Sequence, residues 1–364
     1  MKKILLSLLV ISILLLACAR FRTMKTASHV EFSLPLDKNG VKVIQSSDHF
    51  FEIPSQYFIK DRFLYLVDLY NFRIIKVKRK GDIQLSFGEE NKNPVSYDYV
   101  LKSSNFSGLK LNDDIFKFIQ PNQILVDSKD NILVENVLSS TTEEHEYNAY
   151  SLILQYDKTG APVFVYGRKI NSGYIFPFQE LDHFAFDRND HLFVFEKSEY
   201  EWKIYKFSQP DRIESFLASS SFITNVPSEE KEQVKIEGID NSYSGDFLVA
   251  AINFYRENFE YLRTEFYRIS LEGQLTRLFT VKDEEYSFII LDHSDIIYMW
   301  RTVERSREDY ILLRLFSLKG RIIINKMITM DRDRGKWFDI RIHKNNKISG
   351  INLNNNLFNI MVWE

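Results

Sequence analysis

The sequence lacks the residues from which many enzyme sites and disulfide-stabilised folds are built. Its 364 residues contain a single cysteine, Cys18, so no intramolecular disulfide and no cysteine-rich zinc site can form. Glycine is scarce, with 13 residues, and no P-loop, G-x-G-x-x-G or G-x-S-x-G motif is present. These absences exclude the common phosphate-binding loops and the nucleophile elbow of the hydrolases.

An excess of positive charge is also missing. The chain carries 47 basic and 50 acidic residues, a net charge of −3. Removal of an N-terminal leader with its two lysines would leave 45 basic and 50 acidic residues, a net charge of −5. An acidic body does not attract the nucleic acid backbone, so nucleic acid is not a predicted partner.

Long apolar runs are absent after the first 17 residues, MKKILLSLLVISILLLA. Two lysines followed by a short apolar run are typical of a secretory signal, and the run is shorter than the roughly 20 residues of a spanning helix. Residues 15–18 (Leu-Leu-Ala-Cys) resemble the bacterial lipobox, which implies that Cys18 becomes the acylated, palmitate-bearing N-terminus. The alternative is an ordinary signal peptide with a stray buried cysteine.

The segment 57–88 has the pattern of one β-meander. It contains three apolar runs, residues 63–67, 74–77 and 83–87, separated by turns rich in Asp, Asn, Lys and Gly. Short runs of β-branched and aromatic residues between such turns are typical of strands. A single meander cannot bury both of its faces, so the pattern predicts further copies of the unit.

One turn of this unit recurs in the form apolar-Asp-polar-polar-(Asp/Asn)-apolar. Asp suits its first position because the carboxylate accepts backbone N–H bonds from residues further along the turn. Clear copies begin at Asp127, Asp187 and Asp292, and looser copies lie at residues 238–249 and 342–348. Including the first meander, the turn centres lie near residues 61, 129, 189, 243, 294 and 345.

This spacing predicts an all-β fold, a six-bladed β-propeller that follows a lipoprotein signal peptide. Blades of four strands take about 40–50 residues, and propellers have about 4–8 blades. A pair of β-sandwiches is the alternative architecture. The repeated turn favours the propeller.

Residues 67–74 (Val-Asp-Leu-Tyr-Asn-Phe-Arg-Ile) resemble the NHL repeat, whose second strand ends in Asp, two variable residues, Asn, one residue, Arg and a branched apolar residue. Residues 126–134 are similar to the first-strand turn of the same repeat. The resemblance covers about three units, and the last three lack the Asp-x-x-Asn-x-Arg element. It implies an NHL-like or TolB-like propeller and supports that fold better than any NHL-type function.

The chain divides into a signal peptide over residues 1–17, a lipidated N-terminus and tether over residues 18–40, and a propeller over residues 41–364. In propellers an N-terminal strand commonly completes the last blade. We predict that residues 41–44 or 50–53 supply this strand, beside the apolar C-terminal run 357–363.

Metal-binding patterns are weak. The seven histidines form no H-E-x-x-H motif and no Cys/His cluster. His183 and Asp187 are the best pair for a metal or for acid–base chemistry, although no third ligand accompanies them. Asp127, Asp187 and Asp292 could also gather at one end of the ring and bind a cation. Turn capping explains each carboxylate separately, so we predict neither a metal nor another cofactor.

Aromatic residues are abundant, with 19 Tyr, 30 Phe and 4 Trp, and most are expected to fill the gaps between blades. Polar insertions at residues 89–122, 138–150 and 208–233 interrupt the repeat. The first insertion holds the aromatic residues that we predict to contact a protein partner: Tyr97, Tyr99, Phe106 and Phe116.

Two classes of function remain. The first is a non-enzymatic, lipid-anchored propeller of the cell envelope that binds a protein partner through its face or blade edges. It resembles envelope propeller lipoproteins, including accessory lipoproteins of outer-membrane β-barrel assembly, and its composition is similar to that of spirochaetal lipoproteins. The alternative is a propeller enzyme or ligand-binding protein that acts on a sugar or small molecule in the central channel.

We favour the first class because turn capping already explains the polar repeat positions. Ala19 follows Cys18 where lipoproteins retained in the inner membrane have Asp. This favours the outer membrane, on its periplasmic side or at the surface.

Overall fold

The computed structural model describes the chain from residue 24 to residue 363, with gaps. The described residues are 24–26, 28–35, 44–45, 51–52, 56–79, 81–88, 109–110, 116–141, 147–171, 174–198, 201–209, 212–229, 232–282, 286–303, 308–331, 336–354 and 357–363. The predicted signal peptide and Cys18 lie outside these residues.

The strands follow one another in chain order. The N-terminal segment contains β1 (Met24–Thr26), β2 (Ser28–Pro35), β3 (Ile44–Gln45) and β4 (Phe51–Glu52). Blade 1 contains β5 (Tyr57–Lys60), β6 (Phe63–Asp68), a 3-10 turn (Leu69–Asn71), β7 (Arg73–Lys78) and β8 (Ile83–Phe87), and β9 (Leu109–Lys110) follows it. Blade 2 contains β10 (Pro121–Val126), β11 (Ile132–Thr141), β12 (Tyr147–Tyr156) and β13 (Pro162–Tyr166). The short strands β14 (Lys169–Asn171), β15 (Tyr174–Phe176) and β16 (Phe178–Gln179) come next.

The second half repeats the arrangement. Blade 3 contains β17 (Leu181–Phe186), β18 (Leu192–Lys197), β19 (Trp202–Gln209) and β20 (Arg212–Ala218), and the short helix α1 (Ser220–Ile223) follows. Blade 4 contains β21 (Glu232–Asn241), β22 (Phe247–Arg256), β23 (Tyr261–Ser270) and β24 (Leu275–Val281). Blade 5 contains β25 (Ser287–Leu291), β26 (Ile297–Val303), β27 (Glu308–Phe316) and β28 (Ile322–Asp331). Blade 6 contains β29 (Lys336–Ile342), β30 (Ile348–Asn354) and β31 (Leu357–Trp363), with β2 as its fourth strand.

The buried apolar residues confirm the six-bladed ring. Each blade is an antiparallel four-stranded sheet, and the buried side chains form six clusters. Every cluster joins two blades that are adjacent in the ring, including blade 6 and blade 1, where Phe358 packs with Tyr57. Both faces of a blade pack against neighbouring blades, so the second strand of a blade is buried on both faces. In β22, for example, the first eight residues are buried.

The ring is closed by β2 rather than by the strands expected from the sequence. β2 pairs with β31 in antiparallel register, from Ser28 beside Trp363 to Pro35 beside Leu357. Among the described residues of the expected closing segments, 41–44 and 50–53, residue 44 belongs to β3 and residues 51–52 form β4, and these two strands pair with each other. The propeller therefore begins within the segment assigned to the tether, and the predicted boundary at residue 41 is too late.

The segment that resembles an NHL repeat forms a local hydrogen-bond network. The Asp68 carboxylate is buried and accepts from Asn71 Nδ2 at 2.7 Å and from Arg73 Nε at 2.8 Å. These contacts fix the connection between β6 and β7 in blade 1. The Asp-x-x-Asn-x-Arg element is thus explained by the turn that it stabilises.

Two of the predicted insertions belong partly to the blades. Residues 138–141 and 147–150 extend β11 and β12, with Leu138 beside Tyr150. Residues 208–233 contain all of β20 and the helix α1. Their polar sequences reflect strand ends and an outer strand rather than long loops.

Candidate functional site: the mouth of the central channel

The turns between the first and second strands share a backbone conformation. One residue of each turn has a left-handed φ: Asp61 (54°), Asp130 (68°), Asp190 (61°), Gly245 (74°), Asp295 (55°) and Asn346 (67°). Asp and Asn tolerate this region better than other residues with side chains, which explains why the sequence repeat carries them. Blade 4 has Gly245 instead, and a Cβ atom there would collide with the Asp187 carboxylate.

The three carboxylates considered for a cation cap their own turns. Asp127 Oδ1 accepts the N–H groups of Lys129 at 2.9 Å and of Asn131 at 2.8 Å. Asp187 and Asp292 accept equivalent pairs of N–H groups at 2.7–3.0 Å. The turn-capping interpretation is confirmed. Within the described ranges, no group of three or more His, Cys, Asp or Glu side chains could hold a metal ion.

Neighbouring turns are hydrogen-bonded to one another around one end of the ring. The contacts run in blade order: Lys60 Nζ to Asp130 Oδ1 (2.6 Å), the Ser128 N–H to Asp190 Oδ1 (3.1 Å), the Arg188 N–H to the Tyr243 carbonyl (2.8 Å), the Tyr243 N–H to Asp295 Oδ1 (3.1 Å) and the His293 N–H to the Lys344 carbonyl (2.8 Å). These bonds link the first turns of the six blades in order along the rim of the channel.

The inner strands enclose a central channel of about 530 Å³ at this end. Its apolar wall is formed by Phe58, Ile124, Phe184, Ile290 and Ile340, which come from five different blades. A volume of this size falls within the range of roughly 300–1,000 Å³ typical of ligand pockets. The channel mouth is therefore the candidate site.

Four charged residues meet in the channel, and we call them the channel cluster: Asp182, His183, Asp240 and Lys344. His183 Nδ1 lies 2.8 Å from Asp182 Oδ2, and its Nε2 lies 3.7 Å from Asp240 Oδ1. Lys344 Nζ donates to Asp240 Oδ1 at 2.9 Å. Lys344 belongs to blade 6 and Asp240 to blade 4, so the lysine side chain bridges past blade 5.

The cluster favours the charged forms of His183 and Asp240. Burial alone would lower the pKa of His183, but hydrogen bonds and attraction from Asp182 and Asp240 outweigh it and raise that pKa to about 9. Burial opposes ionisation of Asp240, whereas Lys344 and His183 favour it, and the net effect lowers the pKa of Asp240. At neutral pH the cluster therefore contains two cations and two anions.

A second histidine on the channel wall, His343, has a pKa that is shifted in the opposite direction. His343 is 7% exposed, and its Nε2 lies 2.6 Å from Ser349 Oγ, which is also 2.7 Å from the Tyr57 hydroxyl. Burial, with smaller contributions from Arg341 and Lys347, lowers the pKa of His343 to about 3. The imidazole is thus neutral and structural.

The shift at His343 predicts a loss of stability in acid. Its pKa falls from 6.5 in the unfolded chain to about 3 in the folded protein. The unfolded state therefore binds the proton first as the pH falls below 6.5, and the free energy of unfolding drops by up to about 1.4 kcal/mol per pH unit. His343→Asn keeps a polar side chain at this position and should flatten this dependence in urea titrations between pH 7 and 4.5.

His29→Asn is the matched control, because the side chain of this histidine is 47% exposed on the outer strand β2. It should leave the acid dependence of the wild type unchanged. Equal slopes for His343→Asn and the wild type would show that His343 does not titrate as described.

The sequence-based candidates are only partly brought together. His183 reaches the channel cluster, but Asp187 instead pairs with His191 Nδ1 at 2.8 Å, so the two do not form a joint site. Asp240 and Lys344 were missed, since they are 104 residues apart and neither lies in a recognisable motif. Phe116 is partly buried, and its ring centroid lies 6.2 Å from that of Tyr156; its contact with a partner stays a prediction. Three other aromatic candidates lie outside the described residues: Tyr97, Tyr99 and Phe106.

Among known proteins, only solved structures are similar to this chain, and the similarity lies in the fold. No protein-family model and no curated protein matches this sequence. A member of the duf4221 family from Bacteroides vulgatus is 9% identical, with 94% of this chain and 99% of that chain covered and a TM-score of 0.45. A gluconolactonase from Xanthomonas campestris is 10% identical, with 83% and 82% covered and a TM-score of 0.40. The Dos1 propeller is also 10% identical, with 88% and 82% covered and a TM-score of 0.41. These similarities carry no functional argument.

In the part of the chain that the structure describes, no helix has the length and apolar character needed to cross a bilayer.

Proposed function

We propose that this protein is a lipid-anchored, non-enzymatic propeller of the bacterial envelope whose channel mouth binds a protein partner. The proposal rests on one observation, the balance of opposite charges within the channel cluster. Its two cations and two anions contact one another, with Asp240 accepting from Lys344 at 2.9 Å. A general acid or base works best with a pKa near the operating pH. The pKa of His183, about 9, and the lowered pKa of Asp240 keep both groups charged instead.

The mouth has the character of a protein-binding pocket. Tyr243 lies on the rim and stacks on His293, with ring centroids 4.2 Å apart. The apolar wall behind them can receive an apolar side chain from a partner, and the polar turns surround it. A central apolar pocket with Tyr at its edge and a polar rim is the usual arrangement of binding hot spots.

A photo-crosslinking amino acid at Tyr243 tests the proposal in the lipidated full-length protein. We expect an adduct with one envelope protein, which the resemblance to assembly lipoproteins suggests is an outer-membrane β-barrel component. The matched control is the same amino acid at Phe259, which is 75% exposed on the β22–β23 hairpin at the opposite end of blade 4. Equal adducts from both positions, or none from Tyr243, would contradict a partner at the mouth. Cys18→Ala, which removes the lipid, should reduce the adduct.

The channel volume of about 530 Å³ supports a second candidate, a binding protein for a small molecule. Denaturation of the purified protein would then release one compound in stoichiometric amount, and mass spectrometry would detect it. Ala185 lines the channel, and Ala185→Leu should reduce that amount by narrowing it, with the melting curve as a control for folding. Release of a compound without any adduct at Tyr243 would favour this candidate.

A further inference from the structure

The N-terminal segment is fixed to the outer edges of two blades. β1 adds to the outer strand of blade 5 in parallel, with Met24 beside Lys326 and Thr26 beside Ile328. β2 then forms the outer strand of blade 6. The chain that leads towards Cys18 therefore leaves the propeller at the outer edge of blade 5, away from the channel.

The distance from this edge to the lipid is short. Five residues lie between Cys18 and Met24. A fully extended chain spans at most about 3.3–3.6 Å per residue, so the step from Cys18 to Met24 covers roughly 20 Å. A compact body of about 340 residues has a radius of gyration near 20 Å and is roughly 50 Å across. Because the connection is shorter than the body, the side that carries β1 has to face the membrane.

The surface on this side has the chemistry of a membrane contact. The turn before β28 exposes Lys319 and Arg321, and the strand begins with Ile322 and Ile323, which are 37% and 49% exposed. Val30 on β2 is 53% exposed. Basic residues attract anionic headgroups, and exposed apolar side chains enter the interface between headgroups and acyl chains.

We infer that the outer edge of blades 5 and 6, with Lys319, Arg321, Ile322 and Ile323, lies against the lipid surface. This inference rests on the proposed lipid anchor at Cys18. The propeller then stands on its outer edge, with blades 5 and 6 next to the membrane. Its channel axis lies roughly along the membrane plane, and blades 2 and 3 point away from the bilayer.

Fluorescence quenching in vesicles tests this orientation. Lipidation consumes the only native thiol, so Ile323→Cys or Phe216→Cys in the lipidated protein introduces a single site for a bimane label. Phe216 is the matched control, because it is 52% exposed on the outer strand of blade 3, across the ring. The vesicles contain phosphatidylethanolamine and phosphatidylglycerol, with a spin label on the headgroups. We expect at least threefold stronger quenching at position 323 than at position 216.

Flotation of the same samples separates the two hypotheses. Protein that fails to float with vesicles would contradict the lipid anchor itself. Protein that floats but is quenched equally at both positions, or more strongly at position 216, would overturn the orientation and leave the anchor intact. Arg321→Glu in the Ile323→Cys background should reduce quenching without loss of flotation, and unchanged quenching would rule out a direct contact by this patch.

Discussion

Deletion of residues 357–364 should abolish cooperative unfolding. This deletion removes β31, which pairs with β30 on one side and with β2 on the other. Phe358 and Ile360 are fully buried, and Trp363 is 2% exposed. Burial of one large apolar side chain is worth about 1.5–3 kcal/mol. Loss of the whole strand therefore costs on the order of 10 kcal/mol, comparable with the roughly 5–15 kcal/mol of total stability of a typical domain.

Circular dichroism during thermal denaturation measures this effect. Leu357→Ala is the matched control, because Leu357 begins the same strand but is 39% exposed. It should melt within a few degrees of the wild type. A truncated protein that melts as sharply and at the same temperature as the wild type would contradict closure by β31. A synthetic peptide that covers residues 355–364 should restore part of the transition when added to the truncated protein.

Lys344→Met should lower the free energy of unfolding by about 3–5 kcal/mol, the usual cost when one partner of a buried ion pair is removed. Asp240 is 1% exposed and would lose its closest cation. Lys344 Nζ also donates to the carbonyl oxygen and to Oδ1 of Asn241, at 3.2 and 3.1 Å. The substitution therefore also removes the bridge between blades 6 and 4.

Urea denaturation at pH 7 provides the measurement. Lys129→Met is the matched control, since Lys129 is exposed in the equivalent turn of blade 2 and its replacement should cost less than about 0.5 kcal/mol. The double variant Lys344→Met/Asp240→Asn should be more stable than Lys344→Met alone, because it no longer buries an unpaired carboxylate. A loss below about 1 kcal/mol for Lys344→Met would show that the lysine does not stabilise the ring.

The number of blades could be predicted because it is encoded locally. Each first turn needs a residue that tolerates left-handed φ, and an Asp or Asn marks five of the six turns in the sequence: Asp61, Asp130, Asp190, Asp295 and Asn346. Capping by Asp127 likewise depends only on residues within the same turn. Such signals survive even when the rest of the repeat has diverged.

Long-range pairings could not be predicted. β2 has His29, Val30 and Glu31 in succession, without the strict alternation of a half-buried strand, because its outer edge faces solvent and its register shifts between Val30 and Phe32. The contact between Lys344 and Asp240 joins two blades that are not neighbours, and nothing in either local sequence indicates the other. Of the channel cluster, only His183 could therefore be predicted from the sequence.

The pairing of β2 with β31 also places a constraint on biogenesis. The first strand of the ring leaves the ribosome more than 300 residues before its partner. At synthesis rates of about 5–20 residues per second, the wait amounts to tens of seconds. During that time β2 has no strand of its own blade to pair with, because β31 lies between β2 and the rest of blade 6. A chaperone that shields such strands would act on this protein before the seven residues of β31 are synthesised.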